Sequence, residues 1–167
     1  MSVAPRAGPL PGSYWVVPGR FLAGRYPASE ELPELRAAGI DAFVDLTAPG
    51  EEMLAPYEDL LEGASYRRFP VPDFGHPSQE SMAALLDLLD EELAAGRVVY
   101  LHCRFGIGRT GTVVGCHLVR GGRSGEDALA AIAAWRGDGL LPETEAQREL
   151  VLRWGEARAR KETSTEA

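Results

Sequence analysis

Cys103 and Arg109 enclose a glycine-rich stretch, His102-Cys103-Arg104-Phe105-Gly106-Ile107-Gly108-Arg109-Thr110-Gly111. It follows a run with the β-branched and aromatic character of a central strand, 97–102, and leads into 110–120, nearly all apolar or small residues. A strand-to-helix junction of this kind turns successive backbone N–H groups inward at the positive end of a helix dipole, which makes an anion nest. Gly106 and Gly108 let the backbone curl without Cβ clashes. A thiol at the mouth of such a nest ionises readily, since helix N-termini and arginines lower a cysteine pKa from about 8.5 to roughly 3.5–7.5. Arg109 adds a planar fork that fits two oxygens of one phosphate. Arg104, Phe105, Gly106, Ile107, Gly108 and Arg109 are therefore the expected oxyanion-binding residues. A thiolate and an arginine facing one oxyanion are what nucleophilic attack on a phosphate ester requires. Two positions are open to Phe105, beneath the loop or in the pocket wall.

This segment resembles the His-Cys-x5-Arg-Ser/Thr signature of the cysteine-dependent protein tyrosine phosphatase superfamily, and the chain looks like a small dual-specificity-type member. The strand and helix order fits that likeness from about Tyr14 to Trp154. The resemblance implies a two-step mechanism through a phosphocysteine, with Cys103 as nucleophile and Arg109 holding the equatorial oxygens. It also calls for an upstream general acid. Val71-Pro72-Asp73-Phe74-Gly75 resembles the family's Pro-Asp acid loop, and a carboxylic acid on a loop can protonate the leaving oxygen. The alternative for Asp73 is an aspartate in a turn, which its Pro and Gly neighbours also favour. By the same resemblance Thr110 hydrogen-bonds the Cys103 sulfur, His102 fixes the loop from behind, and Gln147 orders the hydrolytic water. A surface-helix glutamine is the competing reading of Gln147.

The surrounding elements alternate between strands and helices. Residues 14–17 and 21–24 read as two strands about a Pro18-Gly19 turn. Ser29 is the expected cap of a helix through Ala38, which Gly39 ends. Residues 41–46 and 65–71 read as further strands. Pro77-Ser78 opens an amphipathic helix with Met82, Leu85, Leu86, Leu89 and Leu93 on one face, and Gly96 ends it. Gly121-Gly122 stops the helix after the loop. Ser124 with Asp127 starts another that reaches Trp135 or Arg136, and Pro142 precedes a last helix with Ala146, Leu150 and Trp154 on one face. The expected fold is α/β, a mainly parallel central sheet flanked by helices, of protein tyrosine phosphatase-like, dual-specificity type. The expected organisation is a flexible N-terminal arm at 1–12, a single catalytic domain at 13–156 and a frayed tail at 157–167.

Composition narrows the field. The chain has 167 residues, 45% of them hydrophobic and 25% charged, which suits one globular domain. A formal charge of -8 counts against a broad nucleic-acid or anionic-lipid surface. No apolar run nears the ~18–20 residues of a membrane helix, and the Pro- and Gly-rich start does not read as a secretory signal. Two cysteines fit a reducing compartment, so a cytoplasmic location without stable membrane association is expected. The only lysine is Lys161, and asparagine is absent.

No metal or cofactor is expected, because adjacent residues in His102-Cys103 and Cys116-His117 diverge in direction. The literal G-x-G-x-x-G from Gly106 lacks a second strand ending in an acid, so a dinucleotide fold is set aside. A sulfur transferase would leave Asp73 and Arg109 idle, and a non-catalytic phosphate-binding module would not need the cysteine.

The expected activity is a protein-tyrosine or dual-specificity phosphatase acting on a phosphorylated protein or peptide. Phosphotyrosine comes first, with phosphoserine and phosphothreonine also admitted. A phosphoinositide or soluble inositol phosphate is the second reading, because Arg104 follows the nucleophile as a basic residue does in lipid-directed relatives.

Overall fold

The computed structural model describes residues 4–154. The whole of the expected tail, 157–167, residues 155–156 of the expected domain and residues 1–3 of the expected arm lie outside them. Five strands form one sheet: β1 (Tyr14–Val17), β2 (Phe21–Gly24), β3 (Ala42–Asp45), β4 (Ser65–Arg68) and β5 (Val99–His102). Their spatial order is β1-β2-β5-β3-β4. Only the β1–β2 pair is antiparallel. The β2–β5, β5–β3 and β3–β4 pairs are parallel, so the sheet is mainly parallel, as expected.

The helices are α1 (Leu32–Ala37), α2 (Gln79–Ala94), α3 (Gly108–Arg120), α4 (Gly125–Arg136) and α5, helical over 145–154. The two side-chain faces of the sheet alternate along each strand. Phe21, Ala23, Ala42, Val44, Val99 and Leu101 join the cluster that α2, α3, α4 and α5 cover. Leu22, Phe43 and Tyr100 face the smaller cluster with Leu32, Leu35 and Tyr57. β5 is buried at every residue and lies between β2 and β3. Its end therefore emerges at the centre of the carboxyl edge of the parallel strands, where open α/β sheets place their ligand crevices.

Local chemistry sets the helix ends. Ser78 and Ser124 accept hydrogen bonds from Ser81 N–H and Asp127 N–H, and so cap α2 and α4 as expected. Ser29 does not act as a cap. It lies inside a 3-10 turn, Ser29–Glu31, while the Glu31 carboxylate accepts from Ala28 N–H and from Arg25, and the α-helix begins only at Leu32. β4 is shorter than the expected 65–71, although Phe69 N–H and Val71 N–H still donate to Asp45 O and Leu46 O beyond its end, with Pro70 and Pro72 turned to the open edge.

Residues 4–12, expected as a loose arm, lie against the domain. Leu10 is buried, and Ala7 bridges to Tyr14. The Arg6 N–H donates to Trp135 O, and its guanidinium donates to Val16 O and stacks 4.2 Å from the centre of the Trp135 ring. Its Pro and Gly content makes turns here without loosening the chain.

Candidate active site

β5 delivers His102 and Cys103 to the sheet edge, and the next five residues curl into the start of α3. The curl has one tight crossing. Gly106 has φ 75° and passes so near β2 that a Cβ there would lie 2.5 Å from the Gly24 carbonyl carbon and 2.7 Å from Arg25 N. Only glycine combines that φ with that approach. Gly106 N–H donates to Cys103 Sγ at 3.3 Å, and Tyr26 N–H donates to Arg104 O at 3.1 Å. The N–H groups of Arg104, Phe105, Ile107, Gly108 and Arg109 have no acceptor among the described residues. The loop is thus a ring of unspent donors around a buried sulfur, at the N-terminus of a helix.

Arg109 turns back from the first turn of α3 and is buried, 2% exposed. Both terminal nitrogens donate to Glu51, at 2.8 and 2.9 Å, and Nη1 also donates to Val71 O at 3.0 Å. Nη2 lies 3.4 Å from Asp73 Oδ1, which brings the loop at 71–75 to the same place. Asp73 itself is exposed, and its carboxylate accepts from Phe74 N–H at 3.0 Å. Phe74 holds φ 61°, an uncommon conformation for a side chain of that size. The Arg109 hydrogen bond holds the Glu51 carboxyl below its ordinary range against the opposing effect of burial. Burial works to lower the Arg109 pKa, but Glu51, Cys103 and Asp73 outweigh it and leave it raised.

His102 is buried behind the loop. Nδ1–H donates to Cys103 O at 3.1 Å, which leaves Nε2 to accept from Tyr57 O–H. Burial pushes the His102 pKa down against the pull of Asp45, so the ring is neutral and this tautomer satisfies both nitrogens. Asp45 in turn accepts from Thr47, Tyr66 and Arg68.

Thr110 differs from expectation. Its hydroxyl donates to Gly24 O at 3.5 Å rather than to the sulfur, because the first turn of α3 sits against the end of β2. Gln147 is fully buried, which removes the surface-helix reading. Its Nε2 donates to Gly75 O at 2.9 Å, and its Oε1 accepts from Thr144 N–H at 3.1 Å, so α5 and the loop at 71–75 are tied together. A Cβ on Gly108 would lie 3.0 Å from both polar atoms of that amide. Ile107 is half-buried, and Arg104 lies with its guanidinium 5.4 Å from the Phe105 ring centre. Phe105 is 60% exposed, which excludes the position beneath the loop.

Cys116 is buried in the core, and burial pushes its thiol up to about 12, which makes it inert. No cluster of three or more His, Cys, Asp and Glu suited to a metal ion occurs among the described residues. Sequence reasoning missed Glu51, Tyr57 and Arg136. Glu51 follows Pro49-Gly50 in a loop without a local pattern, and only its distant partner gives it meaning.

Comparison with known proteins agrees with this geometry. Residues 11–163 match the family model PTP-SAK, described as "Swiss Army Knife protein, DSP-PTPase phosphatase domain". The chain is 36% identical over 106 residues to "Putative tyrosine phosphatase 067L" of Invertebrate iridescent virus 3, covering 61% of this chain and 43% of that protein. It is 26% identical over 108 residues to "Phosphatidylglycerophosphate phosphatase PTPMT1" of Arabidopsis thaliana, covering 60% of this chain and 30% of that one. The matches thus span less than half the length of these curated relatives. Among solved structures, Tk-PTP in its active form superposes with a TM-score of 0.77 at 31% identity, covering 87% of this chain and 97% of that one.

Proposed function

The chain belongs to the Swiss Army Knife DSP-PTPase phosphatase domain family, and from that premise we propose that it hydrolyses phosphate monoesters without a metal, with Cys103 as the nucleophile. The observation that carries this reading is the Cys103 sulfur set within a ring of unspent N–H donors that Arg109 closes.

In this reading the loop amides and the free hydrogens of the Arg109 fork bind the non-bridging phosphate oxygens. Cys103 thiolate attacks phosphorus. The S–P bond forms as the ester P–O bond breaks, and the Asp73 carboxyl passes its proton to the departing oxygen. Asp73, now a carboxylate, removes a proton from water as that water's oxygen bonds to phosphorus and the S–P bond breaks. Phosphate leaves and the thiolate returns. The donors are fixed before charge develops, so little reorganisation accompanies the transition state. His102 holds the Cys103 peptide from behind. Gln147 keeps α5 against the acid loop and has one Nε2 hydrogen left for the water.

The proposed substrate is a phosphorylated protein or peptide, phosphotyrosine first, taken up in the cytoplasm by the single domain at 13–156. The exposed Phe105 beside the nest supports it by offering an aromatic wall to a phenyl ester. Arg104, next to the nucleophile, favours a second reading, a phosphoinositide or inositol phosphate, in line with the names of the plant relatives. No helix among the described residues is long and apolar enough to cross a membrane.

The test is hydrolysis of p-nitrophenyl phosphate in EDTA by the wild type and Cys103→Ser. Turnover by the wild type alone supports the reading, and inactivity of both proteins refutes it and directs attention to thiosulfate. Phosphotyrosine peptide against phosphatidylinositol phosphate then separates the two substrate classes.

A further inference from the structure

Arg136 is the last residue of α4, and its side chain is buried although it carries a charge, 5% exposed. Gly137 ends the helix with φ 84° and turns the chain so that Asp138 folds back on Arg136. Asp138 then grips the fork side-on, Nε to Oδ1 at 3.0 Å and Nη2 to Oδ2 at 2.9 Å. The nitrogen left over, Nη1, donates to Gly106 O at 2.9 Å. Tyr14 lies beneath, its ring centre 5.8 Å from the guanidinium carbon. The end of α4 is itself pinned, since Arg6 N–H donates to Trp135 O.

The carbonyl so held belongs to the peptide between Gly106 and Ile107. In a trans peptide the C=O and the following N–H point in opposite directions. Drawing Gly106 O toward Arg136 therefore turns Ile107 N–H away from it. That N–H is one of the loop donors with no acceptor among the described residues. This peptide plane is oriented by ψ of Gly106 and φ of Ile107, and Gly106 has no side chain to restrict that ψ.

We propose that Arg136, held by Asp138, is a positioning residue that locks the Gly106–Ile107 peptide with its N–H presented to the bound oxyanion. The inference rests on the phosphate-binding reading of the loop and assigns no chemical step to Arg136. A guanidinium fits the task because one face can be committed to Asp138 while a separate nitrogen holds the carbonyl. Lysine lacks the planar fork that grips a carboxylate in two places while a third nitrogen reaches the carbonyl.

The experiment uses Arg136→Met, which fills the space over Tyr14 without a donor, together with Asp138→Asn and Arg136→Lys. Inorganic phosphate is titrated into each 15N-labelled protein while the Ile107 amide resonance is followed, and kcat/KM for p-nitrophenyl phosphate is measured alongside. The wild type shows a downfield Ile107 shift on binding. Arg136→Met loses that shift, binds phosphate about tenfold more weakly and loses about 10²-fold in kcat/KM, the scale of one misdirected oxyanion donor. Asp138→Asn falls between, and Arg136→Lys recovers part of the shift. A folded Arg136→Met with an unchanged Ile107 shift and unchanged phosphate affinity overturns the proposal. If Arg136→Met does not fold, a wild-type Ile107 response in Asp138→Asn overturns it equally. Should the wild type bind phosphate but not turn over the ester, the phosphatase reading fails while the amide shift still decides the role of Arg136.

Discussion

Glu51 and Arg109 meet in a two-pronged ion pair, 2.8 and 2.9 Å, although 58 residues separate them in the chain. Ala48 N–H donates to the same carboxylate at 2.6 Å, so the acid is fixed before it fixes the arginine. The pair fixes the guanidinium beside the loop, with Nε–H outside the contact. Glu51→Gln removes one acceptor and the charge. A charge-assisted hydrogen bond is worth about 1.5–3 kcal/mol, or roughly a 10–150-fold change, and that is the expected fall in kcat/KM. Phosphate titration by calorimetry checks it, since a misplaced Arg109 also weakens ground-state binding. The held-down Glu51 pKa keeps the pair intact at neutral pH, and its contribution disappears only on acidification below the ordinary carboxylate range.

Asp73→Asn keeps the shape of the acid loop and removes the proton. General acid catalysis contributes about 10²–10⁴-fold, so the loss is large for phenyl phosphate or phosphotyrosine and small for leaving groups that need no protonation. Equal rates on phenyl phosphate for the two proteins would show that the acid lies elsewhere.

Gly106→Ala meets two obstacles at once, the left-handed φ and the backbone of Gly24 and Arg25. The conformation alone costs about 1–2 kcal/mol for a residue with a Cβ, and the contact with backbone adds to it. In a domain of this size each kcal/mol lowers Tm by about 2–4 °C. A thermal melt combined with phosphate titration reads both effects, and a variant that melts and binds like the wild type contradicts the crossing described above.

Burial lowers the pKa of His102 in the folded protein beneath its ordinary 6.5. The unfolded chain therefore binds the proton first as pH falls. Stability is full above about 6.5 and declines below it, by at most one proton or about 1.4 kcal/mol per pH unit, until the folded value is reached. Urea midpoints at pH 7, 6 and 5 record the decline, and His102→Gln shows a shallower one. His117, also lowered by burial, contributes equally in both proteins and cancels in the comparison. Asp45, the nearest acid, has its pKa lowered by His102 and by its hydrogen bonds against the effect of burial, and so stays charged in the folded protein through this range.

What could be read in the sequence was what neighbouring residues decide together. The Cys103–Arg109 loop, β5, the caps at Ser78 and Ser124 and the glycine stops are local patterns, and all stand where expected. The parts that escaped are joined across the chain. Arg136 finds Gly106 at a separation of 30 residues, and Gln147 finds Gly75 at 72. Nothing near Gln147 distinguishes a buried tether from a surface amide. Residues 4–12 misled for the opposite reason, because a Pro- and Gly-rich composition suggests looseness while one apolar residue, Leu10, and one arginine, Arg6, are enough to seat the segment.

The position of β5 has a consequence for assembly. β2 and β3 follow one another in the chain yet never pair; each waits for β5, Phe21 and Ala42 both lying opposite Val99. Before residues 99–102 arrive, the sheet consists of two separate ribbons with open, apolar edges, which are the kind of surface that captures other chains. Closing such a seam is slow because distant segments must meet before any contact rewards them. The strand that closes it also leads directly into Cys103, so completion of the sheet and placement of the Cys103–Arg109 loop at its edge belong to a single folding event.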